Sequence, residues 1–164
     1  MDRMFAKKIK DCRGTALINV MVTLVVVSVF LGIIASIFAA NLRETNFQKQ
    51  RVKAYYLALS GSDLCYAALV KQGVEGGDNT DTMLYERFSK ENVPNIASTP
   101  TLTVTMDEAD GLVGGTATVT ISAFDKNGLR WVKIKSTARL TESTVSNTTT
   151  LDIQVTNPLV QIKS

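Results

Sequence analysis

The sequence predicts an α+β protein in which one long N-terminal helix packs on a roughly four-stranded antiparallel sheet. Residues 16–40 contain no charged side chain, and the first of the three prolines is Pro94, so one helix can run well beyond residue 40. From Leu102 onward, apolar and polar residues alternate with the period of two that is typical of half-buried strands. The period therefore changes once along the chain, from a helical half to a sheet half.

The first half of the helix, residues 15–40, has the length and composition of a membrane span. Its charge-free run covers 25 residues, and a helix of roughly that length crosses a hydrocarbon core of about 30 Å. Five cations and only two acidic residues, Asp2 and Asp11, precede it. This excess of positive charge predicts that the N-terminus lies in the cytoplasm and the C-terminal part outside. These cations are Arg3, Lys7, Lys8, Lys10 and Arg13.

An ordinary secretory signal is the first alternative. Its apolar region is about 7 to 15 residues long and ends in small residues. The run here is longer, and a cut near Ala39 or Ala40 would have Ile37 or Phe38 where a small residue is preferred. We therefore expect the apolar segment to be retained.

The junction before the apolar run has a different pattern. A basic leader ends in Arg13 and Gly14, and residues 15–18, with the sequence TALI, open the hydrophobic helix. This arrangement resembles the class III signal of type IV pilins and pseudopilins. The resemblance implies that a prepilin peptidase removes residues 1–14 and leaves Thr15 as a methylated N-terminus. A glycine suits such a cut because it keeps the backbone accessible and extended.

The resemblance continues into residues 41–70, a stretch that is similar to the PilX-like minor pilins. The residues that carry it are Glu44, Asn46, Gln48, Arg51, Ala54, Tyr55, Tyr56, Leu57, Ala58, Ser60, Gly61, Ala67 and Ala68. Asn19 departs from the pattern of major pilins, which have glutamate as the fifth mature residue. This departure is shared by PilX-like proteins and by the K-type pseudopilins, and it makes Asn19 a candidate assembly residue.

The resemblance implies a function as well as a fold. The expected protein is a minor pilin or pseudopilin of a type IV pilus or of a related secretion or competence filament, and it acts in priming or at the tip. Its expected partners are other pilins through the N-terminal helix, the prepilin peptidase and the assembly platform in the membrane. It would be stored as a single-pass protein in the cytoplasmic membrane and later reach the cell surface.

Residues 41–72 form the second, amphipathic half of the predicted helix. Apolar side chains recur there at helical spacing and predict the face that carries the head; they are Val52, Tyr55, Leu59, Tyr66 and Val70. Gly61 marks either a close contact or a bend. Residues 73–100 are expected to be a loop with a short helix over about 80–90. That helix would be capped by Asp78 or Asn79, with Leu84 and Phe88 on one side.

Residues 101–164 are predicted to form the sheet. The inward positions of the four strands are Leu102, Val104 and Met106; Ala117, Val119, Ile121 and Ala123; Val132, Ile134, Ala138 and Leu140; and Leu151, Ile153 and Val155. Asn127 and Gly128 predict a tight hairpin turn between the second and third strands. Ile121, Ile134 and Ile153 are expected to share one core with Leu59 or Tyr66.

The composition argues against catalysis, a cofactor or a metal. The chain has no histidine, which removes the usual triad base and the commonest metal ligand. Asp107, Glu108 and Asp110 lack the spacing of an EF-hand, and a solvated turn is favoured over a calcium site. Cys12 lies in the leader, so Cys65 is expected to be an unpaired core residue. The leader also holds the whole net charge of +3, since 13 basic and 13 acidic residues follow it.

One strand face is a candidate ligand site. Cations interleave with an aromatic residue there, as in surfaces that bind nucleic acid, although lysines on a solvated strand also prevent edge pairing. The candidate residues are Lys126, Arg130, Trp131, Lys133, Lys135 and Arg139. The solvated reading is favoured. If the cations do bind a ligand, the chain would be a DNA-capturing pilin, which is a further alternative. The other alternative is a single-pass surface adhesin or sensor.

Overall fold

The computed structural model describes residues 2–71 and 82–163, with side chains from residue 16 onward. The chain forms two compact units, Met1–Phe47 and Gln48–Ser164. Helix α1, Asp2–Val70, contributes to both units. In the first unit the side chains of residues 16–47 are all exposed. The second unit contains the sheet and the core.

The second unit is a meander of five antiparallel strands covered by the end of α1. The strands lie side by side in chain order. They are β1 Leu102–Met106, β2 Gly115–Lys126, β3 Leu129–Leu140, β4 Ser146–Gln154 and β5 Gln161–Lys163. The α+β prediction is confirmed, and its four strands are present. The short β5 adds a fifth strand that pairs with residues 151–153; its three residues carry too little alternation to be recognised after Pro158.

The β2–β3 turn has the predicted hairpin geometry. Asn127 has a φ of 54° and Gly128 a φ of 78°, the left-handed values that a two-residue turn of type I′ requires. The turn fixes the register, with Lys126 opposite Leu129 and Phe124 opposite Trp131. Asparagine and glycine adopt these angles at the lowest steric cost.

The predicted isoleucine core is present. Ile121, Ile134 and Ile153 are buried in one cluster, and Tyr66 of α1 packs against it. Leu59 is only half-buried and lies outside both core clusters of the described residues. Cys65 belongs to the same core, and burial raises the pKa of its thiol to about 11. The thiol is therefore protonated and shielded at neutral pH, as expected for a core residue.

The face of α1 that meets the sheet differs from the predicted one. Val52 and Tyr55 are 52% and 44% exposed, so the prediction is wrong at these two positions. The buried face consists mainly of small side chains: Ala54, Leu57, Ala58, Gly61, Ser62, Cys65 and Leu69. The helical spacing of large apolar side chains predicts the wrong face because the contact is made by small ones. Helical spacing alone does not distinguish a small buried side chain from a small exposed one.

Gly61 marks a close contact. A Cβ added there would lie 2.9 Å from the Cβ of Ala117 and 2.9 Å from the Oγ of Ser136, closer than van der Waals contact allows. The helix therefore approaches strands β2 and β3 through its backbone. Of the two readings of this glycine, the close contact is confirmed.

We expect Gly61→Ala to destabilise the second unit by about 1–3 kcal/mol, because the added methyl group overpacks this contact. The measurement is urea unfolding of the full chain in neutral detergent, followed by the emission of Trp131, the single tryptophan. Gly32→Ala is the matched control, since nothing lies within 4 Å of a Cβ there. Equal unfolding midpoints for the two variants would contradict the close contact.

Helix α2 is shorter than predicted and has another cap. It covers Met83–Phe88, and the side chain of Thr82 accepts a hydrogen bond from the backbone N–H of Tyr85. The predicted caps, Asp78 and Asn79, lie outside the described residues. Leu84 and Phe88 are both fully buried, which confirms the predicted inward side of this helix.

Candidate functional site

The exposed apolar segment of α1 is the first candidate site. Residues 16–40 include large side chains such as Leu17 and Phe38, each 65% exposed. Among the described residues, one helix is long and apolar enough to cross a membrane by length and composition. Water solvates such a surface poorly, so it requires lipid or other apolar helices around it.

The hydroxyl groups of this segment are satisfied within the helix itself. Thr23 donates to the carbonyl oxygen of Asn19 at 2.8 Å, Ser28 to that of Leu24 at 2.8 Å and Ser36 to that of Ile33 at 2.7 Å. A polar group without a partner is costly in hydrocarbon. These local bonds make the three hydroxyl residues compatible with an apolar environment.

Small residues recur at intervals of four along the same segment. They are Ser28, Gly32, Ser36 and Ala40. Residues four apart share a helix face, and small side chains there allow a neighbouring helix to approach closely. The segment therefore has one face that suits helix pairing as well as lipid contact.

The candidate processing residues, Gly14 and Thr15, have a helical backbone. The expected extended conformation is therefore not the one that the structure has. The preceding residues include no proline that would end the helix. A peptidase would have to unwind this turn first, and glycine lowers the cost of unwinding by about 1 kcal/mol relative to alanine.

Asn19 lies one turn beyond Thr15 on the same helix. The residue is exposed, and its carbonyl oxygen accepts the Thr23 hydroxyl. Its amide can donate and accept hydrogen bonds but carries no charge. The Asn19 side chain is accessible to a neighbouring helix, but it cannot neutralise an ammonium group.

The sheet face opposite α1, here called the outer face, brings together five of the six candidate ligand residues. The register places Lys126, Trp131, Lys133, Lys135 and Arg139 on this face. Trp131 is only 8% exposed, and the Nζ of Lys126 lies 5.8 Å from its ring centre. A base cannot stack on a ring covered in this way. The predicted line of cations is therefore present on the outer face, but the predicted exposed aromatic ring is not.

Arg130 does not belong to the outer face, and its assignment to the ligand site is wrong. Its side chain is 1% exposed, and its Nε lies 2.7 Å from Asp125 Oδ1. The guanidinium also donates to the carbonyl oxygens of Phe88, Val93 and Pro94 at 3.2–3.4 Å. Arg130 therefore fastens the segment after α2 to the β2–β3 hairpin. Arg130 lies two and four residues before Val132 and Ile134 on β3, so strand alternation alone places its side chain on their inward face.

The acidic turn uses its carboxylates locally. Asp107 Oδ1 accepts from the N–H of Ala109 at 2.9 Å, and Asp110 Oδ2 accepts from the N–H of Asp107 at 3.2 Å. The two side chains cap the short 3₁₀ helix Glu108–Asp110. Over the described ranges, no group of three acidic, histidine or cysteine side chains could hold a metal ion.

An open cleft of about 1000 Å³ lies beside α1 within the second unit. Its lining includes Lys53 and Tyr56 of the helix and Asp107, Glu108 and Glu142 of the strand connections. These side chains are charged or aromatic, but they do not form the nucleophile, base and orienting group of a hydrolase. The cleft is therefore no candidate for triad-type catalysis.

Comparison of this chain with protein-family models, with curated proteins and with solved structures gives no match.

Proposed function

We propose that this chain is a minor pilin or pseudopilin, a membrane-stored subunit of a type IV pilus or of a related secretion or competence filament. One observation carries the proposal. Helix α1 contains both an exposed apolar segment, residues 16–40, and a stretch that packs on an antiparallel sheet. A basic leader with the Gly14–Thr15 junction precedes the apolar segment. In water such an uncovered apolar segment would be unfavourable. A filament subunit buries it in two environments, first in the membrane and then in the filament.

The first use is storage in the cytoplasmic membrane. Lipid surrounds the apolar segment, and the internally bonded hydroxyls of Thr23, Ser28 and Ser36 add no unsatisfied donor. The five cations of the leader hold the N-terminus in the cytoplasm. The second unit, Gln48–Ser164, then lies outside.

The second use is assembly. When the subunit leaves the bilayer, its apolar surface must be buried against other helices, and this burial supplies the cohesion of the filament. The small residues at 28, 32, 36 and 40 suit close helix packing. Partners are therefore other pilins through the N-terminal helix, the prepilin peptidase that trims the leader, and the assembly platform. The role is structural rather than enzymatic.

Asn19 favours a position at the tip or in a priming complex. The glutamate that major pilins have here is thought to neutralise the N-terminal amine of the adjoining subunit, an interaction that is strong in a low dielectric. Asn19 provides only hydrogen bonds, worth about 0.6–2 kcal/mol between membrane helices. A subunit that cannot neutralise a neighbour's amine fits best where no subunit follows.

We expect Asn19→Glu to move the protein from low abundance at the tip into the filament shaft. The measurement is gold labelling of an epitope-tagged head on sheared filaments, counted per unit length. Asn19→Gln is the matched control, because it keeps the uncharged amide. Wild-type label spaced regularly along the shaft, at the frequency of a major subunit, would contradict the tip assignment.

The proposed function itself is tested by fractionation. The tagged chain should appear both in the membrane and in filaments sheared from the cell surface, and it should leave the filament fraction when the assembly platform is deleted. A chain that stays in the membrane fraction in both strains would instead be a single-pass adhesin or sensor. In that case the proposal fails.

A further inference from the structure

We propose that the outer face of the sheet binds an acidic polysaccharide, a chain of sugars that carry carboxylate or sulfate groups. The inference goes beyond the proposed function and uses only the second unit. It rests on the charges of the outer face, on its hydroxyl groups and on the way its aromatic rings are covered.

The cations of the outer face follow one strand. Lys133, Lys135 and Arg139 lie along β3, and Lys126 precedes it across the hairpin. Neighbouring outward positions on a strand are about 6.6–6.8 Å apart, so Lys133 and Lys135 are about that far apart at the backbone. The line suits a ligand with negative charges repeated along an extended chain.

One carboxylate, that of Asp152, shares the outer face of the five described strands. Its Oδ1 lies 3.9 Å from the Nζ of Lys133 and offsets part of that charge. Within the described residues, Lys135 and Arg139 have no carboxylate partner, and both are exposed. The outer face therefore has a net positive charge, which attracts an anionic partner.

Hydroxyl side chains surround the cations in cross-strand rows. One row places Thr103, Thr120 and Thr150 beside Lys135, and the next contains Thr105, Thr118, Thr137 and Thr148. The hydroxyls of Thr137 and Thr148 are 3.0 Å apart. Each hydroxyl can donate and accept, and neighbouring positions within one row, which lie on adjacent strands, are about 4.8 Å apart. This regular polar surface matches the many hydroxyl groups of a sugar chain.

The aromatic residues of the outer face argue against single-stranded nucleic acid. Single-stranded DNA and RNA gain much of their affinity from bases stacked on exposed rings. Trp131 is 8% exposed beneath Lys126, and the Nζ of Lys133 lies 5.2 Å from the ring centre of Phe124. Both rings are thus covered by lysines. A ligand without bases loses nothing from this arrangement.

The test is a binding measurement on the full chain in neutral detergent, with heparin and polygalacturonate as probes. Both acidic polysaccharides should bind at 50 mM salt and weaken as salt rises, because cations that contact an anionic polymer release counterions. Dextran, which is uncharged, should not bind. A 20-nucleotide oligothymidine and a 20-base-pair duplex are measured under the same conditions.

Two sets of variants separate charge from hydroxyl recognition. Lys135→Gln with Arg139→Gln should weaken heparin binding about 25-fold at 0.1 M salt, since each lost cation contributes about fivefold. Lys49→Gln with Lys71→Gln removes two exposed lysines away from the outer face, one in α1 and one directly after it, and should leave the affinity unchanged. Thr118→Val should weaken polygalacturonate binding by about threefold to tenfold, the value of one hydrogen bond, without changing the salt dependence. An unchanged emission of Trp131 verifies that each variant is folded.

Absence of binding to both acidic polysaccharides would overturn the proposal, and so would an equal loss of affinity in the control variant Lys49→Gln with Lys71→Gln. Tighter binding of either DNA than of the polysaccharides at the same salt would assign the outer face to nucleic acid instead. If filament localisation fails while heparin binding and its variant pattern hold, only the proposed function is lost.

Discussion

Replacing Arg130 with methionine should destabilise the second unit by about 1–3 kcal/mol, the cost of leaving a buried acceptor without its donor; its ion-pair partner Asp125 is 39% exposed and adds little. The substitution removes the contact with Asp125 and leaves the carbonyl oxygens of Phe88, Val93 and Pro94 without their guanidinium donor. The carbonyl oxygen of Phe88, the buried one of these three acceptors, carries the largest part of that cost. The segment after α2 would then detach from the hairpin.

Urea unfolding of the full chain in neutral detergent, followed by Trp131 emission, measures the effect. Arg139→Met is the matched control, because the same substitution on the exposed outer face should change the free energy of unfolding by less than about 0.5 kcal/mol. Arg130→Lys should fall between the two, since an ammonium group cannot reproduce the guanidinium fork. Similar losses for Arg130→Met and Arg139→Met would contradict the buried role of Arg130.

Ile134→Ala should cost about 2–5 kcal/mol, because it leaves a cavity at the centre of the core. Ile134 is completely buried in the same cluster as Val119 and Leu151. Ile121→Ala and Ile153→Ala should fall in the same range, since both side chains belong to this cluster. The same unfolding assay measures all three variants.

Thr120→Ala and Gln154→Ala are the controls for this series. Both residues are half-buried on the outer face, and they should tolerate the change with losses below about 0.5 kcal/mol. The opposite pattern, stable isoleucine variants and unstable controls, would mean that the register is displaced by one residue. A one-residue shift exchanges the two faces of every strand.

The strands and the hairpin could be predicted because their signals are local. Alternation over β2, β3 and β4 specifies a buried face, and Asn127 with Gly128 specifies the turn. The isoleucine core then follows from the shared parity of Ile121, Ile134 and Ile153. Strand β5 carried no such signal, because its pairing depends on the position of β4 rather than on its own residues.

The buried face of α1 and the role of Arg130 depend on tertiary contacts. Large apolar residues such as Val52 and Tyr55 fit the helical period, yet the sheet meets a face made mainly of small residues. Ala117 and Ser136 leave so little space that only a small-residue face can approach. Arg130 adjoins Trp131 in sequence, but the alternation of the strand places it on the opposite face from Lys133 and Lys135.

The candidate assembly residues come from the sequence pattern rather than from contacts. Gly14 and Thr15 are identified by the basic leader before them and the apolar run after them. Asn19 is identified by its distance from that junction. The structure adds the helical backbone of this region and the exposure of the apolar segment, both of which bear on how the chain would be cut and packed.

The N-terminus of the mature protein tests the filament-subunit account most directly. Intact-mass analysis of the chain purified from the membranes of its native cells should give a protein that begins at Thr15, with or without one added methyl group. Gly14→Leu should leave the uncut precursor in the membrane, while Gly32→Ala, within the apolar segment, should be processed normally. A wild-type chain that begins at Met1, or near Asn41, would contradict the account.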